Sequence, residues 1–260
     1  MSEFKAMKIE YDGPVAIVSF NRPDMLNAID GSIRGEFLAV ANQVNNDDTI
    51  RVVILTGEGR CFCAGADLAE KVPAGLGAED MLNQQYKPAL MAITDAPKPW
   101  ISAVRGAAAG VGSAFAMNCD LTVMAEDGYI FQAFAAIGLI PDGGATWHLA
   151  RTVGRKKAFE LIAGGEKLRA EDCLQLGLCN RVVPGQELMS ATIAWAHELA
   201  AKAPLSLRYA KESLNAAMEI NVADVISNEA RLQAKCIASE DASEGALAFL
   251  QKRPAEFKGR

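Results

Sequence analysis

The stretch PKPWISAVRGAAAGVGSAFAMNCD, residues 97–120, sets the architecture of the chain. Pro97 and Pro99 end whatever precedes them, because proline cannot continue a helix or serve a central strand. Residues 100–104 are an apolar run long enough for one buried strand. Gly106 breaks it, and from Gly110 small residues lead into an apolar helix through Phe115 and Met117. The pattern predicts a strand, a glycine turn and a helix start. Such glycines leave N–H groups uncovered at the positive end of a helix dipole, where an anion or a developing oxyanion can sit. The plainer reading is a close helix–sheet contact. A dinucleotide fingerprint is set aside, because the G-x-G-x-x-G order, an early chain position and a suitably spaced acid are all missing.

Around this stretch, 260 residues allow one substantial core, with or without an appendage. Half the residues are apolar and 22% are charged, as in ordinary soluble domains. A net charge of −6 argues against general affinity for nucleic acid or anionic membranes. No run approaches the ~20 apolar residues that span a bilayer, and the first residues have no signal-like apolar segment, so a cytoplasmic location is expected. Cys61, Cys63, Cys119, Cys173, Cys179 and Cys236 form no Cys-x-x-Cys pair, and only His148 and His197 could join them. Buried thiols in a reducing compartment are expected, not a metal site. No G-x-S-x-G elbow occurs, and two scattered histidines do not make a nucleophilic triad.

In chain order, residues 8–11 and 15–20 alternate around Asp12-Gly13-Pro14 and read as a hairpin. NRPDMLNAID, residues 21–30, carries turn chemistry, with Asn27 or Asp30 as the cap of a helix over 33–44. RVVILT, residues 51–56, is a strand buried on both faces. CFCAGADL, residues 61–68, reads as an apolar strand running into a bend at Ala64-Gly65-Ala66. Residues 70–80 read as a mobile loop, and 78–95 as a helix. Strands follow at 121–125 and 129–131. Asp142 is placed to cap a helix over 145–151, unless it has another use. The alternation of strand and helix favours a parallel sheet. After residue 183 only helices remain, at 187–202, 205–218, 222–239 and 242–251.

NRPDMLNAI, CFCAGADL, RGAAAGVGSAFAMNCD, GLIPDGG and the tail EGALAFLQKRPAEF, in this order and at this spacing, resemble the crotonase (enoyl-CoA hydratase/isomerase) superfamily. The resemblance spans essentially the whole chain. It implies an α/β crotonase-like spiral of ββα units over 1–195 and a C-terminal helical trimerisation region over 196–260. It also implies a coenzyme A thioester as substrate, no metal or other cofactor, and a homotrimer or dimer of trimers. The N–H groups of Ala66 and Val111 would polarise the thioester carbonyl, each donor typically worth roughly 3 kcal/mol in the transition state. Met25, Leu26, Ala64, Asp67 and Leu68 would line the CoA channel, with plain packing and a helix cap as the other readings of Met25, Leu26 and Asp67. Phe249 and Lys252 would reach the adenine of a neighbouring subunit's CoA.

The chain departs from the hydratases of that family, which use two glutamates. Ala114 stands at the place of one, and Phe134 or Ala135 at the place of the other. One acid remains in the motifs that shape the acyl end, Asp142. A carboxylate there resembles the enoyl-CoA isomerases of peroxisomal type and the ring-modifying isomerases of phenylacetate breakdown. Apolar neighbours such as Phe134, Leu139 and Trp147 would raise its pKa and make it a better base. The expectation is a double-bond isomerase with Asp142 as base. A hydratase with an unplaced acid and a non-catalytic acyl-CoA-binding or RNA-binding relative are the alternatives.

Overall fold

The structure, a computed structural model, describes residues 4–70, 75 and 77–260. Strands β1 (Met7–Asp12) and β2 (Val15–Phe20) form the expected hairpin, with Gly13 at φ 56° supplying the left-handed turn residue. Helix α1 (Gly31–Asn46) starts at Asp30, whose carboxylate accepts from the N–H groups of Ser32 and Ile33 at 3.1 and 3.0 Å. Asn27 is fully buried and caps nothing. Its amide donates to the carbonyls of Glu58 and Cys61, and its oxygen accepts from the Arg22 N–H.

The chain then climbs through repeating turns. Strand β3 (Val52–Gly57) pairs parallel with β2, and β4 (Trp100–Val104) with β3. After each of these strands the chain steps sideways into a second, smaller layer before a helix brings it back. From β4 it enters β5 (Ala107–Ala109) and then α2 (Val111–Asn118). From β6 (Leu121–Ala125) it enters β7 (Tyr129–Phe131) and then α3 (Ala145–Gly164). Strand β8 (Lys167–Arg169), helix α4 (Ala170–Gln175) and strand β9 (Arg181–Val183) complete the two layers. The large sheet has the order β1-β2-β3-β4-β6-β9 and the small one β5-β7-β8.

Four sequence expectations need correction here. Ala107–Ala109 and Lys167–Arg169 are strands that three alanines and a charged tripeptide do not advertise. Residues 61–63 form no regular strand and contribute a single parallel bridge, Cys63 to Ala108. The helix after Asp142 runs to Gly164, past a break at Gly154 (φ 76°). Residues 78–94 keep one helical course, but Leu82–Tyr86 is a π-helical turn between Ala78–Met81 and Lys87–Thr94. The loop expected over 70–80 lies largely outside the described residues; its first residue, Glu70, is tied to Arg34 at 2.8 Å.

Both faces of the large sheet are covered, which explains the unbroken apolar run of β3. On one face Phe20, Phe37, Phe62, Phe115 and Trp100 pack in edge and stacked contacts, with Phe37 and Phe115 centroids 4.8 Å apart. Each such side chain contributes about 1.5–3 kcal/mol by burial. The other face meets helix α5 (Leu188–Ala200), whose Leu188, Ala196 and Ala200 pack on Val52, Ile54, Ile101 and Val123. The 195/196 position thus falls inside a helix that belongs with the sheet. Helices α6 (Pro204–Ala217), α7 (Val222–Ile237) and α8 (Glu240–Gln251) follow, as the sequence predicts. Lys211 of α6 anchors them, donating to the Ile93 carbonyl at 2.7 Å and to Asp120 at 2.8 Å. Asp120 also accepts from the Trp100 N–H, so it is a structural acid.

Gly112 tests how tightly the layers meet. A methyl group there would stand 2.7 Å from the carbonyl oxygen and from Sγ of Cys63. Gly112→Ala gains about 1 kcal/mol in helix propensity. Overpacking against a backbone oxygen costs about 1–3 kcal/mol and wins. The variant should show a lower denaturation midpoint in urea; an unchanged midpoint would mean that α2 and residues 61–66 can separate freely.

Candidate active site

Two glycine-rich bends meet at the junction of the layers. The Cys63 N–H donates to the Ala107 carbonyl, and the Ala109 N–H returns the bond to the Cys63 carbonyl, both at 2.9 Å. This pairing brings Gly65 against Gly110: a methyl group on Gly110 would stand 3.7 Å from Gly65 Cα and 3.8 Å from Cζ of Phe134. Gly110 has φ 52° and ψ −133°, a conformation costly for any residue with a Cβ. Beyond these glycines lie Ala66 and Val111. Val111 is the first residue of α2, where the helix cannot satisfy its N–H. The Ile29 N–H donates to the Gly65 carbonyl and the Asp67 N–H to the Ile29 carbonyl, and this bridge leaves the Ala66 N–H unengaged. Neither N–H finds an acceptor among the described residues.

The Gly110–Val111 peptide is held from behind. The Ser113 hydroxyl donates to the Gly110 carbonyl at 2.7 Å and accepts from the Gln132 amide at 2.8 Å. Both side chains are buried. Donation to a peptide carbonyl polarises its own N–H, so this chain strengthens the Val111 donor as well as orienting it. Gln132 and Ser113 carry no signal in the sequence beyond being polar residues in apolar surroundings.

The residues expected along a CoA channel share one surface. The Ala64 N–H donates to the Leu26 carbonyl at 3.0 Å. Leu26 sits at φ 52° and Asn27 at φ 57°, left-handed conformations that shape the 22–29 turn. Met25 and Leu68 are exposed beside it. Asp67 accepts from Arg22 at 3.1 Å and from the Ala69 N–H at 3.1 Å, so it fastens this turn to residues 66–69. Phe249 and Lys252 are elsewhere, at the end of α8, with Phe249 84% exposed.

Asp142 precedes a turn at Gly143 that packs against Val111 and Ala114. A methyl group on its neighbour Gly143 would stand 2.7 Å from Ala114 Cβ, 3.1 Å from Leu90 Cδ1 and 3.3 Å from Val111 Cγ2. The Asn118 amide, from α2, holds this turn by donating to the Gly143 carbonyl at 3.1 Å. The cap reading of Asp142 is overturned: α3 begins at Ala145 with Gly144 at the N-cap and no side-chain cap, and only the Asp142 backbone carbonyl reaches the Ala145 N–H. Its Oδ1 is buried without a hydrogen-bond partner, and burial pushes the carboxyl up to about 6. Trp147, expected among its apolar neighbours, is engaged on the surface instead. Its indole N–H donates to Glu219 and Arg151 stacks on its ring. Leu90 and Tyr86, which the sequence reading passed over, stand on this side of the site. Tyr86 is buried, and its hydroxyl has no hydrogen-bond partner.

The chain belongs to the enoyl-CoA hydratase/isomerase family, whose model matches residues 10–260. It is 36% identical to the 1,2-epoxyphenylacetyl-CoA isomerase of Escherichia coli over 265 residues, covering 100% of both chains. It is 31% identical to the short-chain-enoyl-CoA hydratase of Clostridium acetobutylicum, covering 99% of this chain and 100% of the other. The crystal structure of an enoyl-CoA hydratase from Polaromonas sp. JS666 superposes with a TM-score of 0.91 at 32% identity, over 97% of this chain and 99% of that one. The fold is that of the crotonase superfamily.

The raised pKa of Asp142 has a measurable sign. Below about 3.8, the ordinary value, native and unfolded chains both hold this carboxyl neutral. As pH rises through about 6 the native state must ionise a desolvated group, so stability is lost across that window. Asp142→Asn should therefore be more stable than wild type at pH 7, by about 1–2 kcal/mol given partial solvent access. The advantage should vanish near pH 4. Urea denaturation of both proteins at the two pH values measures it.

Proposed function

We propose that this family member shifts the double bond of an enoyl-CoA, with Asp142 as the single base and the Ala66 and Val111 N–H groups as the oxyanion hole. Asp142 takes a proton from C2 of a 3-enoyl thioester, and the electron pair moves onto the thioester oxygen as a dienolate. The same carboxyl returns the proton at C4, which leaves the double bond between C2 and C3. A C2 proton is only weakly acidic, so the two donors supply most of the stabilisation. A base with a pKa near 6 is ionised at neutral pH and strong enough to take part in both transfers. The observation that carries the reading is the Asp142 carboxyl itself: unpartnered, half-buried, at the Gly143 turn beside Val111, and capping no helix.

Hydration needs a second group to deliver water, and Ala114 and Phe134 cannot ionise. Relatives carry both names, isomerase in Escherichia coli and hydratase in Clostridium acetobutylicum, so reaction type is decided by assay. With 3-enoyl- and 2-enoyl-CoA substrates of several lengths, double-bond migration should dominate over water addition. Asp142→Asn should lower kcat for migration by roughly 10² or more. Turnover within about threefold of wild type would remove Asp142 from the mechanism. Combined with the stability gain above, this variant separates a catalytic acid from a structural one.

The CoA moiety is assigned to Met25, Leu26, Ala64, Asp67 and Leu68, without metal or other cofactor. Phe249 and Lys252 are assigned to the site of a neighbouring subunit in a trimer or dimer of trimers, built through residues 196–260. Support comes from the apolar side chains that α6–α8 leave in solvent, among them Leu214, Val222, Ile226 and Phe249. Sedimentation equilibrium should give three or six chain masses at micromolar concentration, and a monomer would refute the assembly.

A further inference from the structure

Among the described residues, three buried side-chain polar atoms lack a hydrogen-bond partner: Tyr86 Oη, Gln132 Oε1 and Asp142 Oδ1. Gln132 belongs to the support behind the Gly110–Val111 peptide. The other two belong to the acyl end of the site. Tyr86 closes the π-helical turn Leu82–Tyr86, and Leu90 lies one helical turn further on the same face. Leu90 Cδ1 is the atom that would crowd a methyl group on Gly143, next to Asp142. The Asp142 charge acts on the Tyr86 hydroxyl and, with burial as the larger cause, pushes its pKa up to about 12. The hydroxyl is therefore a neutral O–H donor at any physiological pH.

Among the described residues no group accepts from that hydroxyl, and the Asp142 carboxyl, itself an acceptor, makes no hydrogen bond to it. Arg34 stands with its guanidinium carbon 5.4 Å from the Tyr86 ring centroid, and three of its five N–H groups serve Glu70 and Gln85 at 2.7–3.0 Å. Being a donor itself, Arg34 could in any case only give to Oη. The other residues identified on this side, Leu90, Val111, Ala114 and Gly143, offer no side-chain acceptor. The hydroxyl is shut off from solvent in this structure. A hydrocarbon acyl chain packed beside it would leave the O–H unmet, whereas an acyl oxygen would serve it. A π-helical turn in place of a regular one is a common way to re-aim a side chain at a functional site.

We propose that Tyr86 is a specificity-determining residue that donates a hydrogen bond to an oxygen on the acyl group, so that the site favours hydroxy- or oxo-substituted acyl-CoA over the plain hydrocarbon. This rests on the acyl-CoA reading above and names the substrate class of that same site. A site built around a hydrogen bond discriminates against the analogue that lacks it, because the buried donor is otherwise stranded.

The test uses saturated ligands, which can be neither isomerised nor hydrated, so it is independent of Asp142 as a base. Calorimetric titration of the wild-type protein compares hexanoyl-CoA with its 3-, 4-, 5- and 6-hydroxy derivatives. At least one hydroxylated ligand should bind about tenfold or more tightly than hexanoyl-CoA. Tyr86→Phe should bring the two within about twofold, while hexanoyl-CoA binds the variant at least as well as it binds wild type. The Phe variant without ligand should melt no lower than wild type, since only a stranded hydroxyl is removed. Equal binding of all five ligands by wild type, or a preference that survives in Tyr86→Phe, overturns the proposal. Failure of every CoA ester to bind would instead overturn the acyl-CoA reading.

Discussion

The reciprocal main-chain pair between Cys63 and Ala107–Ala109 is the contact on which the site depends. Residues 61–66 follow β3, and Ala107–Ala109 follow β4, so two neighbouring strands of the large sheet each send a segment sideways into the second layer. Once those segments pair, Gly65 and Gly110 lie close together, and their φ angles of 102° and 52° favour residues without a Cβ. Ala66 and Val111 are then fixed relative to each other by the backbone alone. Donors held this way need no reorganisation when charge develops on a ligand. The apolar core on one side of the sheet and α5 on the other hold the strands from which the segments leave.

The acyl side is built on a different principle. There a carboxyl and a phenol have no hydrogen-bond partner among the described residues, each a cost to folding. Most buried polar groups elsewhere are well served: Lys98 donates to the Val44 and Asp47 carbonyls at the end of α1, and Lys211 is held between Ile93 and Asp120. The contrast is the basis on which we propose that Asp142 and Tyr86 find their partners in a ligand. The same isolation that destabilises the Asp142 carboxylate keeps its pKa near neutrality, where proton transfer in both directions is feasible.

Much of the architecture was legible in the sequence. Prolines, glycine breaks and β-branched runs locate β1–β4, β6, β7 and β9, and helical periodicity locates the last four helices, because these signals are local. The order of five motifs identified the family, and the roles proposed for Ala66, Val111 and residues 25–68 are what that resemblance implies. The short strands β5 and β8 were not legible. Three alanines or Lys-Leu-Arg have no intrinsic strand preference, and they become strands only because the second layer offers them partners.

Sequence alone also left Asp142 divided between a helix cap and a base, since the acid precedes a helix in either case. The tertiary structure decided against the cap, because two glycines at φ 62° and 85° turn the chain so that Gly144 takes the N-cap position of α3 without the carboxylate. It likewise revealed Tyr86, an ordinary helical tyrosine in sequence, as a buried hydroxyl without a partner among the described residues. Chain-local chemistry determined which residues could form strands, turns and helix ends. Which polar atoms end up without partners depends on packing between distant segments, and no local pattern encodes that.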